Sequence, residues 1–299
     1  MRKHSSPARR RAGALTLLSA LVFTSAGVSP AAAHSPGPID YVALGDSYAS
    51  GFGAGSYGNS GAGPEYGVQC GQSPFGLPGL LDAQKKVELV GNRTCAGALA
   101  STLAGGAVDV PEQVAALEAT RVLSKRTDLV TVSAGGNDVG FGDVATACFV
   151  SEAACAQAID SSQKVLLPAL ADKLEALYEQ IEDAAPKATV VVTGYPHLFS
   201  PGAAVPLPIS LRSQKLFNDA TDAVNAAIKD SAEDEGFIYV NTVGKFEGRG
   251  VGTVDSWINF GVPNEPGNLH PNAKGYELGY LAAVQERVDL TRPGRIGKD

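Results

Sequence analysis

The chain has 299 residues, 44% hydrophobic and 18% charged, with 24 Lys and Arg against 31 Asp and Glu for a formal charge of −7. That acidic balance argues against nucleic acid or an anionic membrane surface as an electrostatic partner. The length suits one α/β domain with a sizeable core, and no repeat period divides it.

Residues 1–33 read as an export signal. Arg2, Lys3 and Arg9 to Arg11 form a basic start, Ala14 to Val28 is mostly apolar, and Ala31-Ala32-Ala33 fits the small-residue cleavage pattern. The apolar part is too short and too interrupted to anchor the chain in a bilayer. Cleavage after Ala33 leaves residues 34–299 as a single domain. The five basic and no acidic residues lost with the signal take the charge from −7 to −12. No later apolar stretch has the length of a membrane helix, so the expected product is soluble, secreted and without a stable membrane anchor.

The first strand is predicted at Ile39–Leu44. It ends abruptly in Gly45-Asp46-Ser47-Tyr48, with Gly51, Gly53 and Gly55 close behind. A serine on a tight glycine turn at the carboxyl end of a buried strand is where an α/β fold presents a nucleophile. The spacing is not Gly-x-Ser-x-Gly, and no serine in the chain fits that pattern. Tyr57–Leu81, rich in Gly, Pro and apolar residues, then interrupts the regular elements.

A second strand at Val87–Val90 runs into Gly91-Asn92-Arg93-Thr94-Cys95-Ala96-Gly97-Ala98, and Pro111 opens a helix towards Ser124. The third strand, Leu129–Ser133, leads into Ala134-Gly135-Gly136-Asn137-Asp138. Asp160–Ala184 is an amphipathic helix with Pro168 as a kink, and Thr189–Thr193 the fourth strand. His197 follows that strand, and a second irregular segment spans Phe199–Ser210. Leu211–Ala232 is helical and Phe237–Val240 is the fifth strand. Gly267-Asn268-Leu269-His270 precedes Pro271, which is expected to start the last helix, through about Val288; Arg292–Asp299 is a polar tail. Strands alternating with helices imply a parallel sheet covered on both faces, with the ligand outside the carboxyl ends of the strands.

The four cysteines are Cys70, Cys95, Cys148 and Cys155. An even number in an exported chain favours disulfides, and four allow three connectivities. Neighbour pairing, Cys70–Cys95 and Cys148–Cys155, closes two local loops and is expected. The tighter Cys-x-x-Cys spacing of a zinc site is absent, and no metal site is expected.

The blocks around Ser47, Gly97, Asn137 and His270 resemble, in order and spacing, the four blocks of the SGNH/GDSL hydrolase family, and within it the secreted actinobacterial, Streptomyces-type lipases and esterases. The resemblance covers nearly all of residues 34–299. It implies a three-layer α/β/α, flavodoxin-like parallel sheet of about five strands and a serine ester hydrolase. Ester cleavage needs a nucleophile, a base within hydrogen-bond reach and donors aimed at the developing oxyanion. By the family pattern Ser47 attacks the acyl carbon. The Ser47 and Gly97 backbone N–H groups and the Asn137 side chain form the oxyanion hole. No metal or organic cofactor is required.

Elimination identifies the base. Of four histidines, His4 leaves with the signal and His34 is the new N-terminus, which leaves His197 and His270. His197 also follows a strand and reads as a rim or surface residue. His270, directly before Pro271, matches the family's base. The family's Asp-x-x-His motif places an aspartate three residues earlier, where this chain has Gly267. The resemblance to actinobacterial members that work as Ser–His dyads implies that a backbone carbonyl, of Gly267 or Asn268, holds the imidazole here, with Asp255 or Glu265 folding back as the alternative. Asp46 and Asp138 are expected to bind backbone N–H groups in their own turns.

An apolar acyl groove is expected from Phe52, Tyr57, Phe75, Phe141, Phe199, Val205, Leu207, Ile209 and Leu211, which lie in or beside loops near the strand ends. The expected activity is hydrolysis of lipid or small-molecule carboxylic esters by a monomer. A phospholipase A or B, and further off a polysaccharide acetyl esterase, are the alternatives within the class. A non-catalytic secreted binding protein is the alternative outside it.

Overall fold

The computed structural model describes residues 37–58, 69–102, 108–261 and 267–290. The expected export signal, Glu265 and the expected polar tail lie outside the described residues. Among the described residues five strands form one sheet: β1 (Ile39–Gly45), β2 (Val87–Asn92), β3 (Leu129–Ser133), β4 (Thr189–Thr193) and β5 (Ile238–Val240). All neighbouring pairs are parallel, and the order is β2-β1-β3-β4-β5. This is the flavodoxin-like order, whose direction of winding reverses between β1 and β3 and opens a crevice at their carboxyl ends. The central strands are buried along their length because helices cover both faces, so they are runs of Val, Ile and Leu rather than alternating patterns.

The α-helices of the described residues are, in chain order, α1 (Ser47–Ser50), α2 (Leu77–Asp82), α3 (Val110–Ala119), α4 (Phe141–Val150), α5 (Glu152–Ser161), α6 (Leu170–Ala184), α7 (Leu211–Asp234) and α8 (Ala282–Arg287). The helices α3, α6 and α7 pack side by side as one outer layer. The other layer pairs α2 with the helical segment that leads into α8. Between the layers lie Tyr41, Tyr178, Tyr276, Tyr280 and Phe246, all fully buried, with the Tyr41 hydroxyl and Thr131 Oγ1 2.6 Å apart across β1 and β3.

Several boundaries differ from expectation for local reasons. The helix expected from Asp160 begins at Glu152, where Ser151 caps it by accepting from the Ala154 N–H. Its continuation changes instead of merely bending: residues Ser162–Leu166 are π-helical and Leu167–Ala169 form a 3₁₀ turn around Pro168. Pro cannot donate to the helical ladder, and the widened and tightened turns absorb that gap. Pro271 does not open the last helix. It pairs with Ile258 in an isolated antiparallel bridge, and π-helix over Gly275–Leu281 precedes α8. The two disulfides join Cys70 to Cys95 and Cys148 to Cys155. Among the described residues, no helix is long and apolar enough to cross a membrane.

Candidate active site

The nucleophile turn is built by close approach of β1 to β3. Gly45 has φ +123°, and a Cβ there would lie 2.3 Å from the Ser133 carbonyl oxygen, so only glycine lets the strand end here. Asp46 then caps α1: its Oδ1 accepts from the Tyr48 N–H at 2.9 Å. Its Oδ2 accepts from the Tyr195 hydroxyl at 2.5 Å, which in turn accepts from the Gly136 N–H at 2.9 Å. Asn225 on α7 holds Tyr195 in place, accepting from its N–H and donating to its carbonyl, both at 2.8 Å. Burial pushes the Asp46 carboxyl up to about 6, against the lowering effect of these hydrogen bonds. Asp46 thus binds within its turn as expected, and also ties that turn to the Asn137 block.

Ser47 and His270 meet at this crevice, with Ser47 Oγ 2.8 Å from His270 Nε2. The other ring nitrogen, Nδ1, is 2.9 Å from the Asn268 carbonyl. A carbonyl only accepts, so Nδ1 carries the proton and Nε2 is left to accept from the serine. The Gly267 carbonyl does not hold the imidazole; it accepts from the His270 backbone N–H at 3.1 Å. The imidazole packs against Tyr48, with ring centroids 4.9 Å apart, and edge-on to Phe52 at 5.0 Å. Removal from water lowers its pKa to about 4, opposed by the Asn268 hydrogen bond. The free base is therefore the resting form at neutral pH.

Asp255 does not reach the histidine. It is exposed and paired with Lys274 at 2.9 Å and Arg249 at 2.8 Å, and the Lys274 hydrogen bond leads in lowering its pKa. His197 instead faces Asp222, with Nε2 2.7 Å from Oδ1, and its side chain is 30% exposed.

Gly97 and Asn137 line the same cleft as Ser47 and His270, which encloses about 180 Å³ and is also bordered by Phe52, Phe141 and Tyr195. One Asn137 Nδ2 hydrogen donates to the Ala98 carbonyl at 2.9 Å. The amide has a second hydrogen, available to a ligand. Asp138 departs from expectation: it accepts from the Ala100 N–H at 2.8 Å and from Lys173 at 3.1 Å rather than within its own turn. The first bond staples the loop after β2 to the loop after β3, and the second ties the latter to α6. The Cys70–Cys95 disulfide fixes the start of the former, where the Ala96 N–H donates to the Cys70 carbonyl at 3.0 Å.

The expected acyl groove is only partly in place. Phe52 and Phe141 border the cleft. Tyr57 braces the glycine turn, its hydroxyl oxygen accepting from the Gly53 N–H at 3.0 Å. Phe199 and Ile209 are core residues, Leu207 packs against the core, and Phe75, Val205 and Leu211 are exposed. A narrow apolar groove instead runs from the cleft between α4, α7 and the turn at Ser162–Leu167. Tyr48, Gly136, Phe141 and Tyr195 belong to both, and Val139, Val144, Leu167, Phe217 and Val224 are among its other walls. The α7 contributors, Phe217, Ala220, Thr221 and Val224, are spaced i, i+3, i+4, i+7, the same pattern a core-facing helix shows. That periodicity places them on one face without distinguishing a groove from a core. Among the described residues no group of three or more His, Cys, Asp or Glu could hold a metal ion.

The family model described as the GDSL-like lipase/acylhydrolase family matches residues 43–278. A lipase of Streptomyces rimosus is 33% identical over 274 residues, which cover 91% of this chain and 95% of that protein. Two solved structures, an extracellular lipase from Streptomyces rimosus and a phospholipase A1 from Streptomyces albidoflavus, each superpose with a TM-score of 0.70 at 31% identity. Each match covers 82% of this chain and 98% of the other.

Proposed function

The chain belongs to the GDSL-like lipase/acylhydrolase family, and on that premise we propose that Ser47 and His270 act as a catalytic dyad on lipid esters at this cleft. The protein is a carboxylic ester hydrolase. The observation that carries the residue assignment is the Ser47 Oγ to His270 Nε2 distance of 2.8 Å, with Nδ1 held by the Asn268 carbonyl.

His270 takes the serine proton as Ser47 Oγ bonds to the acyl carbon. The resulting oxyanion receives hydrogen bonds from the Ser47 and Gly97 backbone N–H groups and from the free Asn137 amide hydrogen. Collapse expels the alcohol, which takes the proton from Nε2, and leaves an acyl-enzyme. Water then attacks with His270 again as base, and the carboxylic acid departs. The Asn268 carbonyl fixes the tautomer at each stage, although a neutral acceptor stabilises the imidazolium less than a carboxylate.

The groove of Val139, Phe141, Val144, Leu167, Phe217 and Val224 receives the acyl chain, because it opens from the cleft and offers apolar walls. Residues 1–33 export the protein, in keeping with an extracellular lipase among the similar structures. The likeness to a phospholipase A1 favours a second reading, in which the leaving group carries a phosphodiester. Triacylglycerol, phosphatidylcholine and p-nitrophenyl esters assayed side by side separate the two. In the same assay Phe217→Trp, which narrows the groove, should lower kcat/KM for a decanoyl ester about tenfold or more relative to an acetyl ester. An unchanged chain-length ratio would remove the acyl chain from this groove.

A further inference from the structure

The turn that presents His270 carries a strained residue. Leu269 has φ +62°, the left-handed region that a leucine rarely occupies. Its carbonyl accepts a 2.6 Å hydrogen bond from the Tyr48 hydroxyl, 221 residues earlier in the chain. Tyr48 directly follows the nucleophile, is 3% exposed, and lays its ring against the His270 imidazole. Burial holds its phenol well above the ordinary pKa, so it remains a donor. The other side of the turn is held by backbone hydrogen bonds: Leu269 N–H donates to the Asn259 carbonyl at 2.8 Å, and Asn259 N–H to the His270 carbonyl at 2.9 Å.

No aspartate could take over this bracing from position 267. A Cβ there would sit 2.9 Å from the Gly53 Cα, a backbone atom that cannot swing aside. Gly53 is itself held, its carbonyl accepting from Asn259 Nδ2 at 2.8 Å.

We propose that Tyr48 is a positioning residue: its phenol, donated to the Leu269 carbonyl, keeps the strained 267–270 turn in the shape that aims His270 Nε2 at Ser47. This rests on Ser47 and His270 being the catalytic pair. One side chain adjoining the nucleophile thereby sets the distance to the base. It does part of the orienting work that a triad carboxylate does in a Ser-His-Asp site, but by fixing backbone instead of bonding the imidazole.

The test uses the full chain with Tyr48→Phe, Tyr48→Leu and Leu269→Gly, alone and combined, and Ser47→Ala as control. Active sites are titrated with a p-nitrophenyl phosphonate, so that unfolded protein does not count. Tyr48→Phe keeps the ring and loses the donor; kcat per titrated site on p-nitrophenyl butyrate should fall about 10- to 100-fold, with KM within about twofold. Leu269→Gly removes the cost of the left-handed conformation, and in the Tyr48→Phe background it should recover at least about threefold of the lost kcat. Should Tyr48→Phe give no titratable protein, Tyr48→Leu, with the residue that gives the GDSL family its name, is read in the same way. A donor-less variant with kcat within about twofold of wild type overturns the proposal, as does a loss that Leu269→Gly fails to recover. An active Ser47→Ala would instead overturn the catalytic assignment beneath it.

Discussion

Two histidines lie at the carboxyl end of the sheet, and they differ in the way opposite to the usual expectation. His197 has a carboxylate, Asp222, at 2.7 Å, yet is 30% exposed and contacts no nucleophile. His270 has no carboxylate partner among the described residues and rests on a carbonyl, yet its Nε2 meets Ser47 and its ring is packed between two aromatics. If His270 is the base, as proposed, the difference teaches that a partner charge does not by itself make a general base. A fixed tautomer, a nucleophile within reach and shelter from water do so, and a backbone carbonyl supplies the first as surely as an aspartate.

The most severe way to break this comparison is to delete each histidine. Ser47→Ala and His270→Ala should each lower kcat on p-nitrophenyl esters by about 10⁴-fold or more, whereas His197→Ala stays within about twofold. A dead His197→Ala beside an active His270→Ala would reverse the two. Next in size is the oxyanion side. Asn137→Ala should cost about 10²- to 10³-fold in kcat with KM nearly unchanged, and a change confined to KM would make Asn137 a binding residue only.

The pH profile sharpens the contrast further. With the His270 pKa lowered to about 4 by desolvation, the acid limb of kcat/KM should fall near that value, not near 6.5. Activity that halves close to pH 6.5 would show an imidazole in contact with water. The same group contributes stability that is present above pH 6.5 and lost as pH falls through about 4, because the folded state resists taking up the proton. The smallest effect is expected from the carboxylates that stand near a histidine only in sequence or on the surface. Asp222→Asn and Asp255→Asn should leave turnover within about twofold; a loss approaching the roughly 10⁴-fold seen when a triad aspartate is disabled would reveal a carboxylate at work.

Much of the fold was legible because its signals are local. Leu129–Ser133 and Thr189–Thr193 are β-branched runs buried on both faces, and both strands have the expected bounds. The helices α2 and α4 were not foreseen, since Gly76-Leu77-Pro78-Gly79 and the stretch after Gly140 read as loop chemistry. Pro271 misled in the other direction: helix-initiating by type, it was claimed by the bridge to Ile258, a partner that proximity in sequence does not reveal. At the site, Ser47 and His270 could be singled out by motif and elimination. Tyr48, Leu269 and Tyr195 could not, because a phenol reaching a carbonyl 221 residues away, or a left-handed leucine, has no pattern in one dimension.

The Ser47–His270 contact also has a consequence in time. Its two halves are 223 residues apart, with the serine in the first strand crossover and the histidine close to the last helix. On the proposed assignment, the serine leaves the ribosome long before the histidine that would take its proton. A chain halted anywhere short of residue 270 can hold the Ser47 turn but lacks its proposed base. With Ser47 and His270 as the proposed pair, esterase activity in a population of nascent or clipped chains should count only the molecules whose final segment has arrived and docked.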